Sequence, residues 1–155
     1  MFVRIEGSLV DVWNGSLLYT ESGMIVTALS GATVYARSGA IVLAWSGSKV
    51  YAESRSQVVA ERGSKVTARN GSKVFAQRGS VVVAEDGSTV IAYCGSIVIA
   101  YRGAKVTAYK GAKVSAHKGS HVIAYHGAKV VAYFGADVVA DSGASVRTMP
   151  VLLSN

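Results

Sequence analysis

The sequence predicts an all-β fold, a single-chain parallel β-solenoid built from sixteen-residue coils of two strands. All seventeen glycines fall in one register of eight residues, and Arg55 stands at the only vacant position between Gly7 and Gly143. Each glycine opens an octapeptide of the form Gly-[Ser/Ala]-x-Val-x-Ala-x-x. Several variable positions then repeat every sixteen residues. A short period held over most of a chain indicates a repeat architecture in which each coil stacks on the previous one.

Within the octapeptide, alternate positions are fixed and variable. Counting each glycine as position zero, position three is Val in every octad except at Leu18, and position five is Ala from Ala28 to Ala140. Positions two, four and six vary, which is typical of a strand with one buried face. Position seven and the glycine form the turn, where a left-handed backbone suits glycine best. Arg55 is therefore expected to be strained or to rearrange its turn.

The outward positions set the length of one coil. The odd octads carry one set of apolar side chains at position six: Trp13, Leu29 and Trp45. The even octads carry aromatic rings at position four: Tyr19, Tyr35 and Tyr51. Position six of the even octads alternates in charge: Glu21, Arg37, Glu53, Arg69 and Glu85. Two octads therefore make one coil, and eighteen octads give about nine coils and a rod of about 43 Å at a spacing of about 4.8 Å.

The chain is expected to form one domain over residues 1–155. Within it, residues 1–6 are predicted as an N-terminal cap, 7–150 as octapeptide repeats and 151–155 as a C-terminal cap or tail. The two ends of a solenoid expose unpaired strand edges, which need covering. Phe2 falls where a repeat would place its Val, and the run Val151-Leu152-Leu153 follows the last octad. Both are candidate capping segments.

Composition narrows the setting of the protein. The opening residues lack a basic stretch followed by an apolar run, so no secretory signal is predicted. No run of about eighteen apolar residues is present, so no membrane partner is expected. The single cysteine, Cys94, excludes an internal disulfide framework and fits a reducing compartment. A cytoplasmic location is expected, and association with a phage or virion stays open.

The octapeptides resemble the central repeats of bacterial ice nucleation proteins. The likeness is carried by GSTVIAYC (87–94), GSKVTARN (63–70) and GSKVFAQR (71–78), and extends over residues 7–146. The resemblance implies a thin two-sheeted solenoid whose Thr-x-Thr rows organise water, whereas Thr27, Thr67 and Thr107 stand alone here. That family also has terminal coils in which basic residues replace the threonines and support self-assembly, and the region 62–129 looks more like those. A weaker likeness is to the octapeptide needles of contractile phage tails, whose Val-x-Gly spacing is Val-x-Ala here.

No catalytic, cofactor or metal site is expected. The carboxylates lie at outward or turn positions, and a solenoid this thin leaves no cavity for a substrate. Inward serines such as Ser64, Ser72 and Ser88 are expected to hydrogen-bond near the turn rather than to act as nucleophiles. Three histidines invite a metal hypothesis: His117, His121 and His126. Because they belong to octads of both parities, they are expected on different faces or edges, and no metal is predicted.

Charge divides the chain into a neutral and a basic part. Residues 1–60 carry four basic and four acidic side chains, whereas residues 61–136 carry eleven basic and three acidic ones, a net charge of +8. Like charges one coil apart repel unless an anion or a carboxylate lies between them. Six side chains are candidates for binding nucleic acid or another polyanion: Arg62, Lys65, Arg78, Lys110, Lys113 and Lys129. Tyr93, Tyr109 and Tyr125 are candidate stacking surfaces.

The neutral part carries a predicted self-association interface. Seven apolar side chains occupy outward positions of the first, third and fifth octads: Leu9, Trp13, Ile25, Leu29, Ile41, Leu43 and Trp45. An apolar patch of this kind seldom stays exposed on a monomer. The sequence therefore predicts a non-catalytic structural scaffold that forms a homodimer or an end-to-end filament. The alternatives are a polyanion- or nucleic-acid-binding module, and an ice-interacting solenoid or a phage needle-like spike.

Overall fold

The structure is a computed structural model that describes residues 3–6, 9–37, 39–53 and 55–150, with side chains from residue 9 onward. The described residues form strands, turns and short connections. None of them forms a helix that could cross a membrane. The strands are β1 Val3–Glu6, β2 Leu9–Val12, β3 Leu17–Tyr19, β4 Ile25–Ala28, β5 Thr33–Ala36, β6 Ile41–Ala44, β7 Lys49–Ala52, β8 Gln57–Ala60, β9 Lys65–Ala68, β10 Lys73–Ala76, β11 Val81–Ala84, β12 Thr89–Ala92, β13 Ile97–Ala100, β14 Lys105–Ala108, β15 Lys113–Ala116, β16 His121–Ala124, β17 Lys129–Tyr133, β18 Asp137–Ala140 and β19 Ser145–Met149.

The strands form two sheets, which confirms the predicted parallel β-solenoid of about nine coils. Sheet 1 has ten strands, with β1 at its edge followed by the even-numbered strands from β2 to β18. Sheet 2 has nine strands, the odd-numbered ones from β3 to β19. Each strand from β2 to β17 pairs in parallel with the strand sixteen residues later, as Val74 does with Val90 and Val82 with Val98. Equivalent residues of successive coils therefore form straight columns along the rod.

The interior is as thin as the sequence predicts. From Val26 to Val130 the position-three valines are at most 2% exposed, and the position-five alanines from Ala28 to Ala124 are fully buried. Position one adds a third layer of small side chains that includes Ser48, Ser64 and Ser80. Large side chains are absent from this described core. The space between the sheets is therefore filled mainly by Val, Ala and Ser, with Leu18, Thr20 and Met24 packed in or against it in the first coils.

The turns are closed by hydrogen bonds that run both along the rod and within each coil. The amide of Gly79 donates to the carbonyl of Gly95 one coil later at 2.9 Å, with the glycines near φ 77° and 76°. Most position-one serines donate from Oγ to the carbonyl three residues back, as Ser64 does to Glu61 at 2.6 Å. Ser88 makes the same bond to Glu85 at 2.5 Å, so the hydrogen-bonding prediction is confirmed for these two serines.

The turn at Arg55 is both strained and rearranged. Arg55 adopts φ 63°, a left-handed backbone that disfavours side chains with Cβ. Its amide reaches the carbonyl of Asn70 at 3.4 Å, and Asn70 itself adopts φ 52°. The Oγ atoms of Ser56 and Ser72 are buried without a hydrogen-bond partner. The prediction that the Ser72 hydroxyl hydrogen-bonds near its turn is therefore wrong, although the Ser72 amide still donates to the carbonyl of Arg69 at 3.1 Å.

The N-terminal segment departs from the parallel pattern. β1 pairs antiparallel with β2, with Glu6 opposite Leu9 and Val3 opposite Val12. Gly7 and Ser8 separate the two strands, and a Gly-x pair between strands is a sequence signal for a two-residue hairpin. β1 therefore extends the edge of sheet 1. The candidate capping residues Phe2 and Val151–Leu153 lie outside the described residues.

Candidate interaction surfaces

The seven predicted interface residues lie on one region of sheet 1, here called the apolar face. Leu9, Ile25 and Ile41 are directly opposite one another in β2, β4 and β6. They are 43–44% exposed, and Trp13 and Trp45 beside them are 41% and 48% exposed. Leu29 and Leu43 are half-buried. Because β1 pairs with the edge of β2, its backbone lies beside the apolar face in the sheet and not across it.

The opposite side of the same coils is aromatic. Tyr19, Tyr35 and Tyr51 stack along sheet 2 with ring centroids 4.7 Å apart. Arg37 lies over the Tyr19 ring at 5.6 Å from its centroid. Arg69 bridges Glu85 at 3.1 Å and Glu53 at 4.0 Å, which confirms the predicted charge alternation at these three positions. These ion pairs therefore run from Glu53 in the neutral part to Arg69 and Glu85 in the basic part, and the three residues are here called the charge column.

The six predicted polyanion-binding residues lie along one side of the rod, here called the basic edge. It comprises the turns that lead from sheet 1 into sheet 2 and the first residue of each following sheet 2 strand. Arg62, Arg78 and Lys110 occupy the turns, with Cys94 and His126 in the same row. Lys65, Lys113 and Lys129 begin β9, β15 and β17. Sequence neighbours such as Lys110 and Lys113 are thus gathered by the turn between them.

The turn cations pack against the glycines of the next coil. A Cβ placed on Gly95 would stand 2.9 Å from Cγ of Arg78, and one on Gly127 would stand 2.8 Å from Cγ of Lys110. The aliphatic stems therefore occupy space that glycine leaves open, while the charged ends extend beyond them. The sequence predicts only a conformational role for the glycines. Their second role, leaving room for a side chain of the preceding coil, becomes visible only when the coils are stacked.

The three tyrosines beside the basic edge form a continuous stack of rings, here called the ladder. Tyr109 stacks on Tyr93 at 5.6 Å and on Tyr125 at 5.1 Å between ring centroids. Both faces of the Tyr109 ring are covered, so the expectation that it offers a face for a nucleobase is wrong. The ladder and the turn residues instead line a groove of about 570 Å³ that includes Cys94, which is exposed, and Lys110.

The three histidines have separate surroundings. His117 stacks between Tyr101 and Tyr133 at 4.8 and 4.5 Å. His121 Nδ1 lies 2.6 Å from Asp137 Oδ2 on sheet 1, and His126 lies in the basic edge. Among the described residues no three His, Cys, Asp or Glu side chains form a group that could hold a metal ion.

Two further grooves open on sheet 2, each beside a pair of lysines one coil apart. The first, of about 270 Å³, is lined by Lys49 and Lys65 with Tyr51 and Thr67 among its other residues. The second groove, of about 360 Å³, is lined by three cations: Lys113, Lys129 and Arg147. Its other lining residues are small or aliphatic: Ile97, Val114, Ser115, Val130, Val131 and Ser145. No carboxylate lines either groove among the described residues.

Comparisons with known proteins give little beyond these observations. No protein-family model matches the chain, and a search of curated proteins finds no matching sequence. Among solved structures, the chain is similar to a hyper-glycosylated fragment of TibA that was modified by TibC. The alignment has 16% sequence identity and a TM-score of 0.46, and covers 90% of this chain and 77% of that one.

Proposed function

We propose that the protein is a non-catalytic β-solenoid scaffold that pairs with a second copy through the apolar face. The observation that carries this proposal is the straight column of Leu9, Ile25 and Ile41, each exposed by more than two fifths. Two flat sheets pack face to face at about 10 Å, and a twofold axis lets the same patch serve both copies. The absence of net charge in residues 1–60 permits that approach.

Sedimentation analysis of wild type and of Trp13→Lys together with Trp45→Lys tests the proposal. We expect a wild-type dimer at tens of micromolar and a folded monomer for the variant, because two lysines opposed across a dry interface lose hydration. A matched variant, Ile97→Lys with Ile123→Lys, replaces exposed apolar side chains outside the apolar face and should remain dimeric. A wild-type monomer, or a monomer in both variants, would contradict the interface.

A second candidate function is binding of a polyanion along the basic edge. It is favoured by the gathering of six cations on one side of the rod, a consequence of the sixteen-residue coil. Retention on heparin at low salt should be lost steeply as salt rises, since such contacts release counterions. Replacing Arg62, Arg78 and Lys110 with Gln should reduce retention more than replacing Arg37, Arg69 and Lys105. Equal elution of the two triple variants would contradict this role for the basic edge.

The resemblance to ice nucleation proteins stays a hypothesis. The register places Thr27 between Asp11 and Leu43, and Thr107 between Ile91 and Ile123. Thr67 likewise has Tyr51 and Val83 as neighbours. None of these three threonines thus joins a threonine row of the kind that the resemblance implies. We expect droplets containing the protein to freeze at the temperature of buffer controls.

A further inference from the structure

We propose that the groove beside Lys113, Lys129 and Arg147 is a binding site for a tetrahedral oxyanion group, a phosphate or a sulfate carried by a larger ligand. This inference deepens the second candidate function and is independent of self-association. The three residues come from β15, β17 and β19, which are consecutive strands of sheet 2. The groove, here called the oxyanion groove, is the 360 Å³ depression described above.

The register fixes how the cations are arranged. Lys113 is directly opposite Lys129, which brings their side chains within one strand spacing of about 4.8 Å. Arg147 is opposite Val131, two residues along the strand from Lys129, and so is its diagonal neighbour. Long side chains reach across such a diagonal of about 7–8 Å. A single oxyanion placed over the groove would therefore lie within reach of all three cations.

The site lacks its own counter-charge. None of the three side chains has an ion-pair partner among the described residues, and no carboxylate lines the groove. Directly opposed like charges destabilise a sheet. Elsewhere in this chain, repulsion between like charges is avoided because charges of opposite sign alternate along a column, as where Arg69 lies between Glu53 and Glu85. At the oxyanion groove, an external anion would supply the negative charge that Glu53 and Glu85 supply to Arg69.

The floor of the groove suits an oxyanion as well. Ser115 and Ser145 line it and can donate hydrogen bonds from their hydroxyl groups. Val131 separates Ser115 from Arg147 in the outward column, so no bulky ring fills the space between the cations. Arg147 offers two parallel donors to oxyanions, and the lysines act as point charges. The lining therefore combines charge and hydroxyl donors around a shallow aliphatic base.

The chain contains a matched control for this site. Lys49 and Lys65 form the same one-coil pair on sheet 2, but Tyr51 and Thr67 occupy the neighbouring column and the groove has no third cation. Lys113→Gln with Lys129→Gln and Lys49→Gln with Lys65→Gln each remove two positive charges from exposed positions. Because both variants lose the same net charge, a difference between their affinities for an anion measures the contribution of the oxyanion groove.

Isothermal titration of the full chain with inorganic tripolyphosphate and with a heparin tetrasaccharide tests the proposal. We expect binding of at least one probe, and the preferred probe tells phosphate from sulfate. The Lys113/Lys129 variant should bind at least about tenfold more weakly, since two charge-assisted contacts are lost. Arg147→Gln should also weaken binding. The Lys49/Lys65 variant removes Lys65 of the basic edge, so it should weaken binding somewhat, but clearly less than the Lys113/Lys129 variant does.

Circular dichroism checks that each variant remains folded. Equal weakening in both lysine variants would overturn the oxyanion groove and leave general charge as the cause. Wild-type protein that is retained on heparin but binds neither probe would overturn the groove while sparing the second candidate function. Protein that neither binds the probes nor is retained would overturn both.

Discussion

The first three coils and the coils after Arg62 have interiors of the same kind, apart from Leu18, Thr20 and Met24 in the early coils, and opposite exteriors. Val34 and Val98 are both fully buried in the same kind of column. Outside, the early coils present an apolar face, whereas the later coils carry most of the basic edge and place Lys113 directly opposite Lys129. The charge column is shared, since Glu53 lies in the early coils and Arg69 and Glu85 lie in the later ones. The contrast shows that the octapeptide fixes the core, while the variable positions are free to give each region a different surface.

The largest effect should come from breaking the shared interior. Val98→Asp buries a carboxylate in a column with no counter-charge and should lower the free energy of unfolding by about 3–5 kcal/mol. Val34→Asp should do the same if the two regions are equivalent inside. Ile97→Asp, at a side chain 44% exposed, is the matched control. Urea unfolding followed by circular dichroism measures all three, and unchanged stability of Val98→Asp would refute the inward assignment.

A smaller effect separates a crowded turn of the later coils from an open turn of the early coils. Gly95→Ala places a methyl group at φ 76°, 2.9 Å from Cγ of Arg78, whereas Gly23→Ala at φ 71° meets no atom within 4 Å. Left-handed strain alone costs about 1–2 kcal/mol. We therefore expect both variants to be destabilised and Gly95→Ala to be affected more. The double variant Gly95→Ala with Arg78→Ala should recover the difference in thermal unfolding, and failure to do so would argue against crowding by the stem.

The boundary between the two regions should respond in the opposite direction. Arg55→Gly removes left-handed strain at φ 63°. Glycine also has greater backbone entropy in the unfolded chain, which offsets part of this gain. We therefore expect a net increase of about 0.5–1 kcal/mol in the free energy of unfolding. Asn70→Gly should gain less, because Asn tolerates this backbone better than Arg does. Thermal unfolding of both variants measures the difference. A destabilised Arg55→Gly would mean that contacts of the arginine outweigh its strain.

The smallest expected effect concerns the charge column. Arg69→Met removes ion pairs to Glu53 and Glu85 whose side chains are 28% and 38% exposed, so the loss should stay below about 1 kcal/mol. In about 1 M NaCl, where the Debye length is about 3 Å, the loss should shrink. Lys105→Met, a cation without an ion pair among the described residues, is the control. Chemical unfolding at low and high salt distinguishes the two, and a salt-independent loss would indicate packing instead of charge.

The amino-acid sequence by itself determined the coil of the solenoid. Two octads per coil, inward Val and Ala, and the columns of Trp13 or Arg69 all follow from a period that places chemically alike residues one strand spacing apart. The sixteen-residue period also predicts the position of the apolar face, and the short turn between Lys110 and Lys113 keeps these two lysines close together. These features depend on local alternation and on a repeat, which are properties that a linear pattern records.

Only the tertiary structure decided what happens where neighbouring coils contact each other. The antiparallel pairing of β1, the altered turn at Arg55 and Asn70, and the covered faces of Tyr109 all depend on contacts between coils. So does the oxyanion groove, since its depth comes from the sizes of side chains in two adjacent columns. The octapeptide specifies which residues share a column, whereas the three-dimensional packing of unequal side chains specifies which surfaces remain open to a partner.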